Sequence, residues 1–129
     1  MKLNGLIITA TLFMITVNSC KSKTADDLVV NKWYLYEMSG KDAAVIPDSV
    51  KTKMYKEASI EFTKDGKYQT TGMGEGIKKG NYHFTPDGKI LITTEDGGMP
   101  DSVNVVELTA AKMTVKDGKA DVRISFKPH

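Results

Sequence analysis

Residues 58–72 read ASIEFTKDGKYQTTG. On either side of Asp65-Gly66 the chain alternates, with Ile60 and Phe62 set against Glu61 and Thr63 before it and Tyr68 against Gln69 after it. Period two is the spacing of a strand with one buried face. Asp-Gly is favoured where a two-residue hairpin needs positive φ at its centre. The segment therefore reads as a hairpin with arms at 58–64 and 67–72. The same signal recurs at Asp87-Gly88-Lys89 and Asp117-Gly118-Lys119, and predicts two more hairpins, 79–85 with 89–94 and 112–116 with 119–127. Further strands fit 31–38 and 102–108, which makes eight.

Alternation assigns one apolar face to these strands: Trp33 and Leu35; Ile60 and Phe62; Tyr68; Tyr82 and Phe84; Ile90 and Ile92; Met113 and Val115; Val122, Ile124 and Phe126. Strand 102–108 has no single parity, because Val103 and Val105 point one way and Val106 and Leu108 the other. Eight short antiparallel strands joined mostly in sequence predict an all-β fold, an eight-stranded antiparallel up-and-down barrel with no open edge. A two-sheet sandwich of the same strands is the competitor.

The connection 39–57 is long for a structureless loop, and Pro47-Asp48-Ser49 reads as the start of a short helix running to Glu57. Lying across a barrel mouth, this helix is read as a lid over an apolar ligand cavity lined by Val50, Met54, Tyr55, Phe62 and Tyr68. Equally, it could cover a barrel filled by its own side chains.

Upstream, residues 1–19 have the parts of an export signal: Lys2, an apolar run over 6–17, and small polar residues before a cut. The run is too short for a stable membrane span, which takes roughly 20 residues. Val17-Asn18-Ser19-Cys20 resembles a lipobox, and Cys20 is the protein's single cysteine, so it has no internal disulfide partner. Cys20 is read as the lipidation site, with acyl chains such as palmitate anchoring the chain to a membrane. Residues 20–28 are expected to be the lipidated cysteine and a flexible tether, and 29–129 the barrel domain. The expected location is the bacterial cell envelope, lipid-anchored at the outer membrane, on its periplasmic or exposed side.

Composition and motifs narrow the chemistry. Eighteen basic residues against 16 acidic ones nearly balance, and without a basic stripe nucleic acid is not an expected partner. His83 and His129 are the only histidines, which supports neither a metal site nor a histidine-based triad. The glycine-rich stretch 72–76 lacks the lysine of a phosphate loop. The acids at Asp96 and Asp101 lack the spacing of a calcium loop, and Met73 and Met99 are a poor case for copper. No cofactor, no metal and no catalytic residue are expected.

Trp33 on the first strand, the long connection and the meander of Asp-Gly hairpins together resemble the lipocalin-like domain of bacterial lipoproteins, a calycin-type barrel. Asn31-Lys32-Trp33 stands where the family has Gly-X-Trp. The resemblance implies a barrel with a plugging tryptophan at its closed end. It also implies an arginine stacked on that tryptophan, for which Arg123, the sole arginine, is the candidate. The function expected is a non-catalytic, monomeric carrier or binder of a small apolar ligand. The alternative is a surface interaction module with a filled barrel that contacts another envelope protein or a glycan.

Overall fold

The computed structural model describes residues 24–73 and 76–129. The signal at 1–19, Cys20 and residues 21–23 lie outside these, as do Gly74 and Glu75. The strands are β1 (Asn31–Ser39), β2 (Ser59–Phe62), β3 (Lys67–Thr71), β4 (Lys78–Phe84), β5 (Ile90–Glu95), β6 (Pro100–Leu108), β7 (Met113–Asp117) and β8 (Arg123–Lys127). Each pairs antiparallel with the next, and β8 returns to β1, which closes the barrel. Every predicted strand is present.

The three hairpins form, but by different turns from those expected. Thr63 N–H donates to Lys67 O, which leaves three residues in the first turn, and only Gly66 has positive φ. Four residues separate Thr85 from Ile90 and Asp117 from Val122, the backbone pairs that close the other two. Gly88 is left-handed and Gly118 is not. The aspartates act through their side chains. Asp87 Oδ1 accepts from Thr85 Oγ1 at 2.7 Å and Lys89 N at 3.0 Å, and Asp117 Oδ1 accepts from Lys119 N at 2.9 Å. A carboxylate that satisfies backbone donors two residues on stabilises a turn without a two-residue loop.

Register fixes the interior. Trp33 lies opposite Ile60, Phe62 opposite Tyr68, Leu35 opposite Phe126 and Met113 likewise opposite Phe126 across β8's other edge. In β5 the expected parity is reversed: Phe84 faces Leu91 and Tyr82 faces Thr93, so Leu91 is buried while Ile90 and Ile92 are only half-buried. Apolar residues at both parities of Ile90-Leu91-Ile92 left alternation nothing to choose between. In β6 a register shift between Val105 and Glu107 resolves the ambiguous strand. One extra residue in a bulge reverses the facing of all that follows, so Val103, Val105 and Leu108 pack on the core while Val106 stays exposed. A second shift, between Leu35 and Glu37, similarly carries Met38 inward.

Strand direction defines two ends. Asn31 pairs with Phe62, so β1 begins where β2 ends, and the turns after β2, β4 and β6 lie at this same end. It is closed by α1 (Ala25–Val29). Thr24 and Asp27 form a reciprocal capping box at the start of α1, each side chain accepting from the other's backbone N–H. Val29 is wholly buried, and its carbonyl accepts from Trp33 Nε1 at 2.8 Å. Residues 24–28, expected to lie in a flexible tether, belong instead to the folded body. Trp33 is the plug that the sequence suggested. Arg123 is exposed and pairs with Ser39 at the opposite end of β1, so it does not stack on Trp33.

Candidate functional site

The end opposite α1 is built from the β1–β2, β3–β4, β5–β6 and β7–β8 connections. Across it lies α2 (Asp48–Glu57), the helix expected in the long connection, with Pro47 as its N-cap. Two clasps hold this connection. Asp42 N–H donates to Asp121 O at 3.1 Å, while Asp121 N–H donates to Asp42 Oδ2 at 2.6 Å. Tyr55 Oη accepts from Met38 N–H at 3.2 Å. The helix end also lies close against the β3–β4 connection, because a Cβ at Gly72 would fall 2.3 Å from Glu57 O.

Between α2 and the β3–β4 connection opens a cleft of about 670 Å³. Val50, Met54 and Met73 supply its apolar wall, and Ser49, Lys53 and Glu57 its polar groups. A volume of this order suits a small organic ligand, for which pockets run roughly 300–1,000 Å³. Val50 is exposed, while Met54 and Met73 are half-buried and pack against the core. Met73, considered from sequence only as a poor copper ligand, is thus part of the wall.

The five predicted ligand residues are only partly brought together. Val50 and Met54 line the cleft. Tyr55 is committed to its bond with β1. Phe62 is 1% exposed and sits at the closed end, its ring edge-on to Tyr82 at 4.9 Å between centroids and tilted against Tyr68 at 6.4 Å. Tyr68 is 8% exposed, and burial pushes its phenol upward, aided by Glu95 and Asp96, with Thr93 opposing through a hydrogen bond. It is a largely buried, neutral residue. Tyr82 is raised in the same way, chiefly by burial, and its hydroxyl donates to Thr63 O at 2.8 Å. Alternation found Phe62, Tyr68 and Tyr82 as inward residues but carries no information about which end of a barrel each occupies.

Other surfaces are less suited to an apolar ligand. A cleft of about 390 Å³ over β2–β4 is walled largely by polar groups such as Glu61, Lys67, Gln69, Lys79 and Asp96, and the predicted ligand residue Tyr68 is part of its lining. Among the described residues, no group of three or more His, Cys, Asp or Glu side chains is placed to hold a metal ion. His83 is exposed on β4.

No family model matches the chain, and no curated protein does. Solved structures that share the fold include two from Bacteroides. A DUF4847 family protein from Bacteroides vulgatus ATCC 8482 superposes with a TM-score of 0.54 at 14% identity, over 79% of this chain and 94% of that one. A protein from Bacteroides uniformis ATCC 8492, solved by NMR, superposes with a TM-score of 0.51 at 18% identity, over 79% and 91% of the two chains.

Proposed function

We propose that this chain is a lipid-anchored protein of the bacterial envelope, of lipocalin-like type, that binds a small apolar molecule in the cleft between α2 and the β3–β4 connection. The cleft itself carries the reading, with its apolar wall of Val50, Met54 and Met73. Binding here differs from the deep-cavity mode expected from sequence, because Trp33, Phe62, Leu91 and Phe126 fill the barrel below. Support for the lipocalin-like type comes from the closed meander of eight strands, the plugging tryptophan on β1 and the helix in the first long connection. Support for the anchor comes from Val17-Asn18-Ser19-Cys20.

One set of observations favours the second reading, an interaction module. Val45, Ile77 and Met99 are 79%, 60% and 87% exposed, each on a different connection at the mouth, and exposed apolar groups at one end of the barrel suit a protein partner. Titration of the domain with an environment-sensitive apolar dye and a long-chain fatty-acid analogue separates the two. Saturable binding that is lost in Met54→Asp, with circular dichroism unchanged, supports the cleft. Absence of saturable binding in the wild type across several apolar ligand classes leaves the interaction module. For the anchor, Cys20→Ala is expected to abolish labelled palmitate incorporation, and equal labelling of that variant would refute it.

A further inference from the structure

If Cys20 carries the anchor, the structure also fixes which way the barrel faces. Four residue steps separate Cys20 from Thr24, and even fully extended they reach at most about 14 Å. Thr24 is not free to lengthen that reach. It caps α1, and α1 is fastened to the closed end by the buried Val29, whose carbonyl takes the Trp33 indole N–H. Ala25 further approaches the β4–β5 turn, within 3.4 Å of where a Cβ on Gly88 would sit. The barrel is taller than the tether is long. The seven residues of β4, at about 3.3 Å each and tilted by about 40°, give a height of roughly 18 Å before the connections at either end are added.

We infer that the closed end around α1 is the face held against the headgroup surface of the bilayer, and that the cleft beside α2 opens away from it. Turning the mouth onto the membrane would require the tether to run the full height of the barrel wall, which its contour length forbids. The groove of about 520 Å³ at this closed end carries the carboxylates Asp26, Asp87 and Glu107 beside apolar Leu28, Phe84, Val105, Val106 and Leu108, so the length of the tether, and not an affinity of this face for the bilayer, sets the orientation. The consequence deepens the proposed function. The cleft exchanges its ligand with the aqueous phase or with a facing partner, and does not draw it directly from the leaflet that holds the anchor.

The orientation is tested on the full lipidated chain in phosphatidylethanolamine–phosphatidylglycerol vesicles containing a small fraction of headgroup-quencher lipid. Ala110→Cys marks the β6–β7 turn at the closed end and Met99→Cys the β5–β6 connection at the mouth, both exposed positions. Each is labelled with the same thiol-reactive fluorophore, the acylated Cys20 being unreactive. Quenching severalfold greater at position 110 than at position 99 is expected. Inserting about 20 Gly-Ser residues between Lys23 and Thr24, which lets a flexible linker reach some 25 Å on average, should erase most of that difference. Equal quenching at the two positions, stronger quenching at position 99, or a difference unchanged by the insertion overturns the inference. Flotation of the vesicles is measured first: a chain that carries no palmitate and does not float fails at the anchor, which removes this inference together with that part of the proposed function and leaves the cleft untouched.

Discussion

Gly66 and Gly72 both have positive φ, 83° and 72°, for different reasons. At Gly66 an added Cβ meets nothing closer than Tyr82 O at 3.9 Å, so Gly66→Ala is strained only by its backbone and should cost about 1 kcal/mol. At Gly72 the same atom would fall 2.3 Å from Glu57 O and 2.5 Å from Glu57 C, so either α2 or the β3–β4 connection must move. Gly72→Ala should therefore cost about 3 kcal/mol or more and disturb the cleft, an order that chemical denaturation of the two variants checks. The turn aspartates make a pH prediction. Asp87 is held below its ordinary value of 3.8 mainly by the Thr85 hydroxyl and the Lys89 N–H, and Asp65 mainly by the Thr63 hydroxyl. A depressed carboxyl stabilises the fold above its unfolded pKa, and that contribution is lost as pH falls below about 4 through the folded value. Melting temperatures measured from pH 6 to pH 2 should fall less steeply in Asp87→Asn than in wild type. At this scale the sequence was legible where polar residues alternate cleanly, as at Glu61 and Thr63. It was not at Ile90-Leu91-Ile92, where only the pairing of Leu91 with Phe84 chooses the face.

A five-residue helix is too short to stand alone in water, so α1 borrows its order from the barrel. Its supports are the capping box at Thr24 and Asp27, the buried Val29, and the bond from Trp33 Nε1 to Val29 O. Trp33→Phe keeps an aromatic plug but removes the donor, which leaves a buried carbonyl unpaired at a cost of about 1–3 kcal/mol. Amide exchange across α1 should accelerate well beyond that of the central strands, and equal acceleration throughout would mean that α1 is not a separate latch. Nothing in the polar run Lys21-Ser22-Lys23-Thr24-Ala25-Asp26-Asp27 announces a helix by periodicity. The signal it does contain is Thr24-x-x-Asp27 with acids in the first turn, a capping pattern. By contrast, α2 was legible from Pro47 and Asp48, because its start is written in local chemistry. The bulges in β1 and β6 were half legible, since a strand with apolar residues at both parities asks for one extra residue without saying where it goes.

Across the whole molecule, stability and binding are assigned to different places, and the two assignments separate in one experiment. Phe62 is buried at the closed end among Tyr68 and Tyr82, and the cleft lies at the other end, against Met54 and Met73. Local alternation gave most strands their inward face, with β5 and β6 the exceptions, but the end of the barrel that each residue occupies is set by chain direction and loop placement, which is why Phe62 and Tyr68 were grouped with Met54 from sequence. Phe62→Ala should cost about 3–5 kcal/mol, as removal of a buried aromatic ring does, and below its melting transition it should bind an apolar probe with wild-type affinity. Met54→Asp should do the reverse. Its side chain is half-buried beside an open cleft, so a charge there keeps access to water and costs the fold little, while it opposes transfer of an apolar ligand to that wall. Urea denaturation and dye titration of both variants give four numbers, and the expected pattern is a crossed one. Loss of probe affinity in Phe62→Ala with the fold intact would place the ligand inside the barrel, and would return Phe62 and Tyr68 to the site.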